Sequence, residues 1–242
     1  MTRNKKIKLN VDSKIVTSEV PNIIDQEVKP ERYVVGFTGI EKNKKLTNLL
    51  GKLEKLGLTI VNDIEEFDKV NIIVMNELYR TPKLMIGFNN KAAILSIKWA
   101  NNCIKQNQIL DIKKSDWISN KKQEKLMGID MKELVNEYDN LSIRKHKILQ
   151  GKIFWVEDKI LPSYKEVVKI IETGGGQIID KDNGASEVIY ISEKQYLSTY
   201  EFTFNHKFYD KELIFSSVIK RKFCIQNIDK FLIFKKNLCD IL

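Results

Sequence analysis

The chain has 242 residues, of which 43% are apolar and 30% charged, with only four prolines. That balance excludes a disordered or collagen-like polymer and leaves room for two folded domains of about 100 residues with a tail and a linker. Forty-one Lys and Arg against thirty-two Asp and Glu give a net charge of +9, which favours anionic partners: phosphorylated peptides, nucleic acid or an acidic membrane surface.

No run approaches the roughly 20 apolar residues of a membrane span, and the start lacks an apolar signal core, so a soluble, intracellular protein is expected. The cysteines Cys103, Cys224 and Cys239 have no paired spacing, which fits a reducing compartment. Asn140-Leu141-Ser142 matches a glycosylation acceptor but has no secretory signal beside it.

Residues 1–31 show little periodicity, hold Pro21 and Pro30, and read as an extension pinned at most through Val20, Ile23 and Ile24. The basic stretch at residues 3–8 reads as a solvated tail rather than an import signal. At Arg32 the texture changes. The apolar run at 33–37 predicts a strand closed by Thr38-Gly39, and Leu46, Leu49, Leu50, Leu53 and Leu56 carry the spacing of a helix with one buried face. Gly57 is the expected C-terminal cap. Further strands are expected at 58–61, 70–75 and 92–96, and a last helix at 97–105 places Trp99 and Cys103 on one face.

The pattern recurs after about 115 residues, which indicates two copies of one unit. Residues 148–154 read as the second opening strand. Tyr164, Val167, Val168 and Ile171 form an apolar helical stripe ending at the glycines 174–176, and strands follow at 177–179, 188–191 and 207–209. A closing helix at about 210–222 places Leu213 where the first copy has Trp99 and Ser217 where it has Cys103. Asn183-Gly184 marks a turn, residues 193–205 show no clear helix, and the linker is expected to carry a helix around 131–138.

The residues with chemical potential sit in the first copy. A strand ending in Thr-Gly offers a hydroxyl and an accessible amide N–H. Lys83, within Arg80-Thr81-Pro82-Lys83, lies just past the third strand, where a parallel sheet brings it to the same edge. Thr38, Gly39 and Lys83 therefore suit a phosphate, with the N-terminus of a helix starting near Thr81 in support.

Other chemistry lacks carriers. The glycines 174–176 follow a helix and precede a strand, the reverse of a phosphate-cradling loop. His146 and His206 have no partner at ligand spacing, so no zinc site, no other metal and no cofactor is expected. Asp63, Glu65, Glu66 and Asp68 read as a solvated acidic loop. Without an acid/base pair, a nucleophile elbow or a Cys/His constellation, an enzyme is not expected.

The Thr-Gly strand end, the Arg-Thr-x-Lys segment and the Trp99/Cys103 helix resemble the tandem BRCT domains. The resemblance covers roughly residues 32–223, and Leu213 is a departure from it. It implies an α/β fold of two BRCT repeats, each a four-stranded parallel sheet flanked by helices. The divisions expected are an extension at 1–31, a first repeat at 32–115, a helix-bearing linker at 116–147 that packs on the junction, and a second repeat at 148–242. It further implies phosphate binding by Thr38, Gly39 and Lys83, with Arg80 holding the peptide three residues after a phosphoserine or gripping its free carboxylate. Met85 and Ile170 fall near the family's specificity pocket, though both also suit a core.

The chain is most similar to the histone-reading pairs of eukaryotic DNA-damage scaffolds, particularly the C-terminal pair of a fungal multi-BRCT scaffold. That similarity implies a nuclear module whose partner is the phosphorylated C-terminal tail of a damage-marked core histone, or a similar phosphoserine peptide. DNA-end or other nucleic-acid phosphate binding, and phospho-independent docking of a protein partner, remain the alternatives.

Overall fold

The computed structural model describes residues 33–139, 147–181, 187–199 and 207–235. The basic tail at 3–8, Val20, Ile23, Ile24, Asn183-Gly184, both histidines, Cys239 and Asn140-Leu141-Ser142 lie outside them.

The first repeat runs β1 (Val34–Phe37), α1 (Lys44–Lys55), β2 (Thr59–Val61), a 3-10 turn (Ile64–Lys69), β3 (Ile72–Met75), α2 (Pro82–Asn90), β4 (Ala93–Ser96) and α3 (Ile97–Lys105). Its four strands are parallel in the order β2-β1-β3-β4, so the chain order expected from the periodicity holds. Asn43 caps α1 by accepting from the Leu46 amide, and Gly57 follows its end at φ 97°. Phe67, on the 3-10 turn, presses so closely on β1 that a Cβ at Gly36 would lie 2.2 Å from its ring.

Trp99 and Cys103 are fully buried on α3. Together they hold the segment that follows: Trp99 Nε1 donates to the Leu110 carbonyl at 3.2 Å, and the Leu110 amide donates to Cys103 Sγ at 3.4 Å.

Two linker helices follow, α4 (Lys121–Met127) and α5 (Met131–Asp139); the periodicity marks only the second. The second repeat contains β5 (Ile153–Val156), α6 (Tyr164–Thr173), β6 (Gln177–Ile178), β7 (Val188–Ser192), a 3-10 turn (Lys194–Thr199), β8 (Lys207–Asp210), α7 (Glu212–Ile219) and β9 (Leu232–Lys235). Four parallel strands recur in the order β6-β5-β7-β8, and β9 adds an antiparallel fifth at the β8 edge. The opening strand starts later than its apolar run, because residues 148–151 form a turn with Gly151 at φ 73°. Leu213 and Ser217 occupy the Trp99 and Cys103 positions, fully buried, and the Ser217 hydroxyl accepts from the Cys224 amide at 3.1 Å. A hydroxyl thus replaces the thiol in the same tethering role.

The repeats meet through α2, which packs on α6 and α7. Met85 and Ile170 are at most 1% exposed, so both belong to the core and neither offers a surface to a ligand. Asn89 donates to the Ile170 carbonyl at 2.8 Å and the Thr173 hydroxyl at 3.1 Å. The acidic loop is not merely solvated: Asp68 pairs with Lys169 at 3.3 Å and Glu65 with Lys165 at 3.7 Å, both on α6. Helix α5 closes the junction. Its Glu137 lies 3.6 Å from Lys91, at the end of α2, and 2.6 Å from Arg221, just past α7.

Candidate functional site

β1 ends at Phe37, but its pairing runs one residue further, with the Thr38 amide donating to the Val74 carbonyl at 3.2 Å. That bond fixes Thr38 at the carboxyl edge of the sheet, half-buried. Gly39 then turns the chain at φ 63°, in the left-handed region, and is exposed. A side chain there would strain the backbone.

The second segment is built by helix capping. Thr81 is the N-cap of α2, in extended conformation at φ −113° and ψ 155°, and its hydroxyl accepts from the Leu84 amide at 3.2 Å. Pro82 follows at the first helical position, where its missing N–H has no partner to lose and its fixed φ suits the helix. The two segments meet directly: the Thr38 hydroxyl donates to Thr81 Oγ1 at 2.9 Å. A hydroxyl, the strand-end glycine and a helix N-terminus with its positive dipole end therefore share one corner.

Lys83 stands in the second position of α2, but its ammonium is turned aside. Nζ donates to the Asn62 carbonyl at 2.6 Å, at the end of β2, and lies 5.0 Å above the Phe67 ring. Burial lowers its pKa, with Lys42 adding to the effect and Asp63 and Glu166 opposing it. An arriving dianion favours the charged form and offsets that penalty. In this structure the ammonium is hydrogen-bonded to Asn62.

Arg80 precedes the cap and reaches across the junction. Its Nη2 donates to Glu212 Oε1 at 2.5 Å, and its guanidinium lies 4.9 Å from the Phe215 ring centroid, both on α7. The fork expected to bind a carboxylate holds one already, from the chain itself.

The segments at 38–39 and 80–83 thus converge, while the cationic groups of Lys83 and Arg80 rest on other partners. Sequence reasoning gave Thr81 a helix start but no side-chain role. A Thr-Pro pair after an extended segment is an N-cap signature that reveals one. Lys42, close enough to depress Lys83, follows the corner by three residues and had no motif to mark it. Glu212 and Phe215 carried no signal, since contact over more than 130 residues of chain exists only in the fold.

The second repeat copies the strand end without the chemistry. The Glu157 amide donates to the Ile191 carbonyl at 2.9 Å, as that of Thr38 does to Val74. Its carboxylate is 1% exposed and accepts from the Lys159 amide at 3.3 Å. A carboxyl group therefore stands in the second repeat where the first has the Thr38 hydroxyl, and among the described residues the two strand ends differ in chemistry.

A family model described as the Regulator of Ty1 transposition protein 107 BRCT domain matches residues 17–117, and a BRCT domain model matches residues 147–231. The chain is a tandem BRCT pair. BRCT domains are protein-interaction modules, which suits a site built from hydrogen-bond donors and cations. This BRCT pair matches none of the curated proteins in sequence. Among solved structures it is similar to the BRCT5-BRCT6 domains of S. pombe Brc1, with a TM-score of 0.58 at 15% identity over 79% of this chain and 94% of that one. It is also similar to Rtt107p, with a TM-score of 0.56 at 13% identity over 86% of this chain and 93% of that one. A complex of Rtt107p with a phosphorylated histone gives 0.55 at 14% identity, covering 86% and 94%.

Proposed function

We propose that this BRCT pair binds phosphoserine peptides, with the phosphate at Thr38, Gly39 and the N-terminus of α2, and with Lys83 as the cation that closes on it. The observation that carries the proposal is the 2.9 Å hydrogen bond between the Thr38 and Thr81 hydroxyls, which joins the strand end to the helix start. Phosphoserine brings about −1.5 to −2 charges and three strong acceptor oxygens, and this corner offers neutral donors, a helix dipole and a nearby ammonium. Arg80 takes the residue three positions on or the peptide's free carboxylate, displacing or sharing Glu212. The ligand is the phosphorylated C-terminal tail of a damage-marked core histone, read in the nucleus by a DNA-damage scaffold. The likeness in fold to the Rtt107p complex with a phosphorylated histone supports this choice. The repeats proposed to carry the site and its support are 32–115 and 148–242, joined by the linker at 116–147.

Fluorescence polarisation with matched serine and phosphoserine peptides, bearing free or amidated C-termini, tests the reading. Tight binding of only the phosphoserine forms supports it, and equal affinity ends it. Indifference to amidation removes only the carboxylate role of Arg80. Peptide indifference with steep salt-dependent binding of DNA would favour a nucleic-acid partner instead.

A further inference from the structure

Helix α1 carries Lys44, Lys45, Lys52 and Lys55, and Lys42 stands just before it, three residues past Gly39. All of these lysines are exposed. Positions 44, 48, 52 and 55 are spaced four, four and three apart, which puts Lys44, Asn48, Lys52 and Lys55 in one row along the helix, with Lys45 beside it. The row faces away from the leucines that dock α1 on the core, of which Leu53 is fully buried. At a rise of about 1.5 Å per residue it runs roughly 16 Å. Residues 41–55 hold two acids, Glu41 and Glu54, against five lysines, and neither acid is in the row.

The cations on and beside this row are uncommitted. Among the described residues none of Lys42, Lys44, Lys45, Lys52 and Lys55 forms an ion pair. The counterpart of α1 in the second repeat differs: on α6, Lys165 pairs with Glu65 and Lys169 with Asp68 across the junction. Helix α3 packs beside α1, has no acid, and shows exposed Lys98 and Lys105 near its two ends. Two neighbouring helices thus present a cationic surface with few acids. It begins beside the phosphate corner, where the charge of Lys42 is felt at Lys83.

The make-up of this surface selects among anions. No large apolar or aromatic side chain of α1 or α3 stands exposed. An acidic membrane needs apolar groups that enter it, a single strand needs aromatic platforms for its bases, and a tight protein interface needs aromatic or apolar anchors. Lysines with an asparagine among them suit the phosphate backbone of a duplex, which is met by charge and side-chain amides without reading bases. We infer that the α1 row and its α3 flank bind double-stranded DNA without sequence preference, on a surface separate from the peptide's phosphate. The inference does not rest on the phosphoserine reading, because no residue of the row belongs to the corner. The two surfaces suit one target, since core histones carry DNA wrapped around them.

The test is fluorescence polarisation of short labelled duplexes of unrelated sequence, titrated with the full chain between about 50 and 200 mM salt. Phosphate contacts from Lys44, Lys45, Lys52 and Lys55 give a slope of log K against log salt of about −3.5, equal for the different sequences. The triple variant Lys44→Gln, Lys52→Gln, Lys55→Gln should flatten that slope by about 2.5 and weaken binding at low salt by about tenfold or more. Its melting curve and its affinity for a phosphoserine peptide should match wild type, since the three side chains are exposed and stand off the corner. Lys122→Gln, Lys125→Gln, Lys132→Gln removes the same charge from the linker helices and should keep most of the DNA affinity. No duplex binding at low salt, a slope shallower than about −2, equal losses in the two triple variants, or tighter binding to single-stranded DNA, duplex RNA or anionic vesicles overturns the inference. Those results leave the phosphopeptide reading standing, whereas a chain that binds duplex DNA but holds serine and phosphoserine peptides alike refutes that reading alone.

Discussion

Replacing Lys83 with methionine probes the cation at the corner while sparing its surroundings. The methionine keeps an unbranched apolar stem beside Phe67 and removes the ammonium that lies 2.6 Å from the Asn62 carbonyl. A hydrogen bond between ionised partners contributes roughly 1.5 to 3 kcal/mol net. In this chain the ammonium already holds the Asn62 carbonyl, which pulls the expected loss to the lower end, about 1.5 kcal/mol or roughly tenfold in Kd. Binding of the unphosphorylated peptide should not change. Stability should stay within about 0.5 kcal/mol, since water can satisfy the carbonyl that Lys83 leaves. Fluorescence polarisation with the serine and phosphoserine forms, paired with urea unfolding, reads both quantities. A Lys83→Met protein that folds normally and binds phosphopeptide as tightly as wild type would refute the assignment of this cation to the phosphate.

Arg80→Ala should weaken the free-acid phosphopeptide and abolish any preference over its amidated form. It should cost less than about 1 kcal/mol of stability, because its pair with Glu212 is partly exposed. Trp99→Leu, which imitates the second repeat, removes a fully buried ring and its bond to Leu110, and urea unfolding should show a loss of about 2 to 4 kcal/mol. Burial pushes the Glu124 carboxyl up, but hydrogen bonds from Lys121 and Ser119 outweigh it and hold the group below the usual carboxylate range. A depressed folded value adds stability above the unfolded pKa, and that stability is lost as pH falls through the folded one. Glu124→Gln should therefore melt lower than wild type at pH 7, and the gap should narrow as pH falls below the ordinary carboxylate range; a gap that does not narrow with acidification would contradict the ion pair's role.

Most of the first repeat was legible because its signals are local. The leucine stripe of α1, the Thr-Gly strand end and the Trp99/Cys103 spacing each fall within a few residues, and their periods distinguish helix from strand. The second repeat was legible chiefly as a copy. β9 was not, because a short edge strand after a helix carries little pattern of its own, nor was α4, whose Lys-rich sequence, with Leu126 exposed, lacks an apolar stripe. At the site, Thr38, Gly39, Arg80 and Lys83 could be picked out by residue type. Where their side chains rest could not: Lys83 goes to Asn62 and Arg80 to Glu212, and tertiary packing decides both. Met85 and Ile170 could be read equally as pocket or core, and the packing of α2 on α6 makes them core.

The most direct test of the account is a crystal structure of this chain with a phosphoserine peptide bound. The account predicts the phosphate at the strand end of the first repeat, within hydrogen-bonding distance of the Thr38 hydroxyl, the Gly39 amide and Lys83 Nζ. A phosphate seated elsewhere, or one at this corner out of reach of Lys83 Nζ, would contradict it.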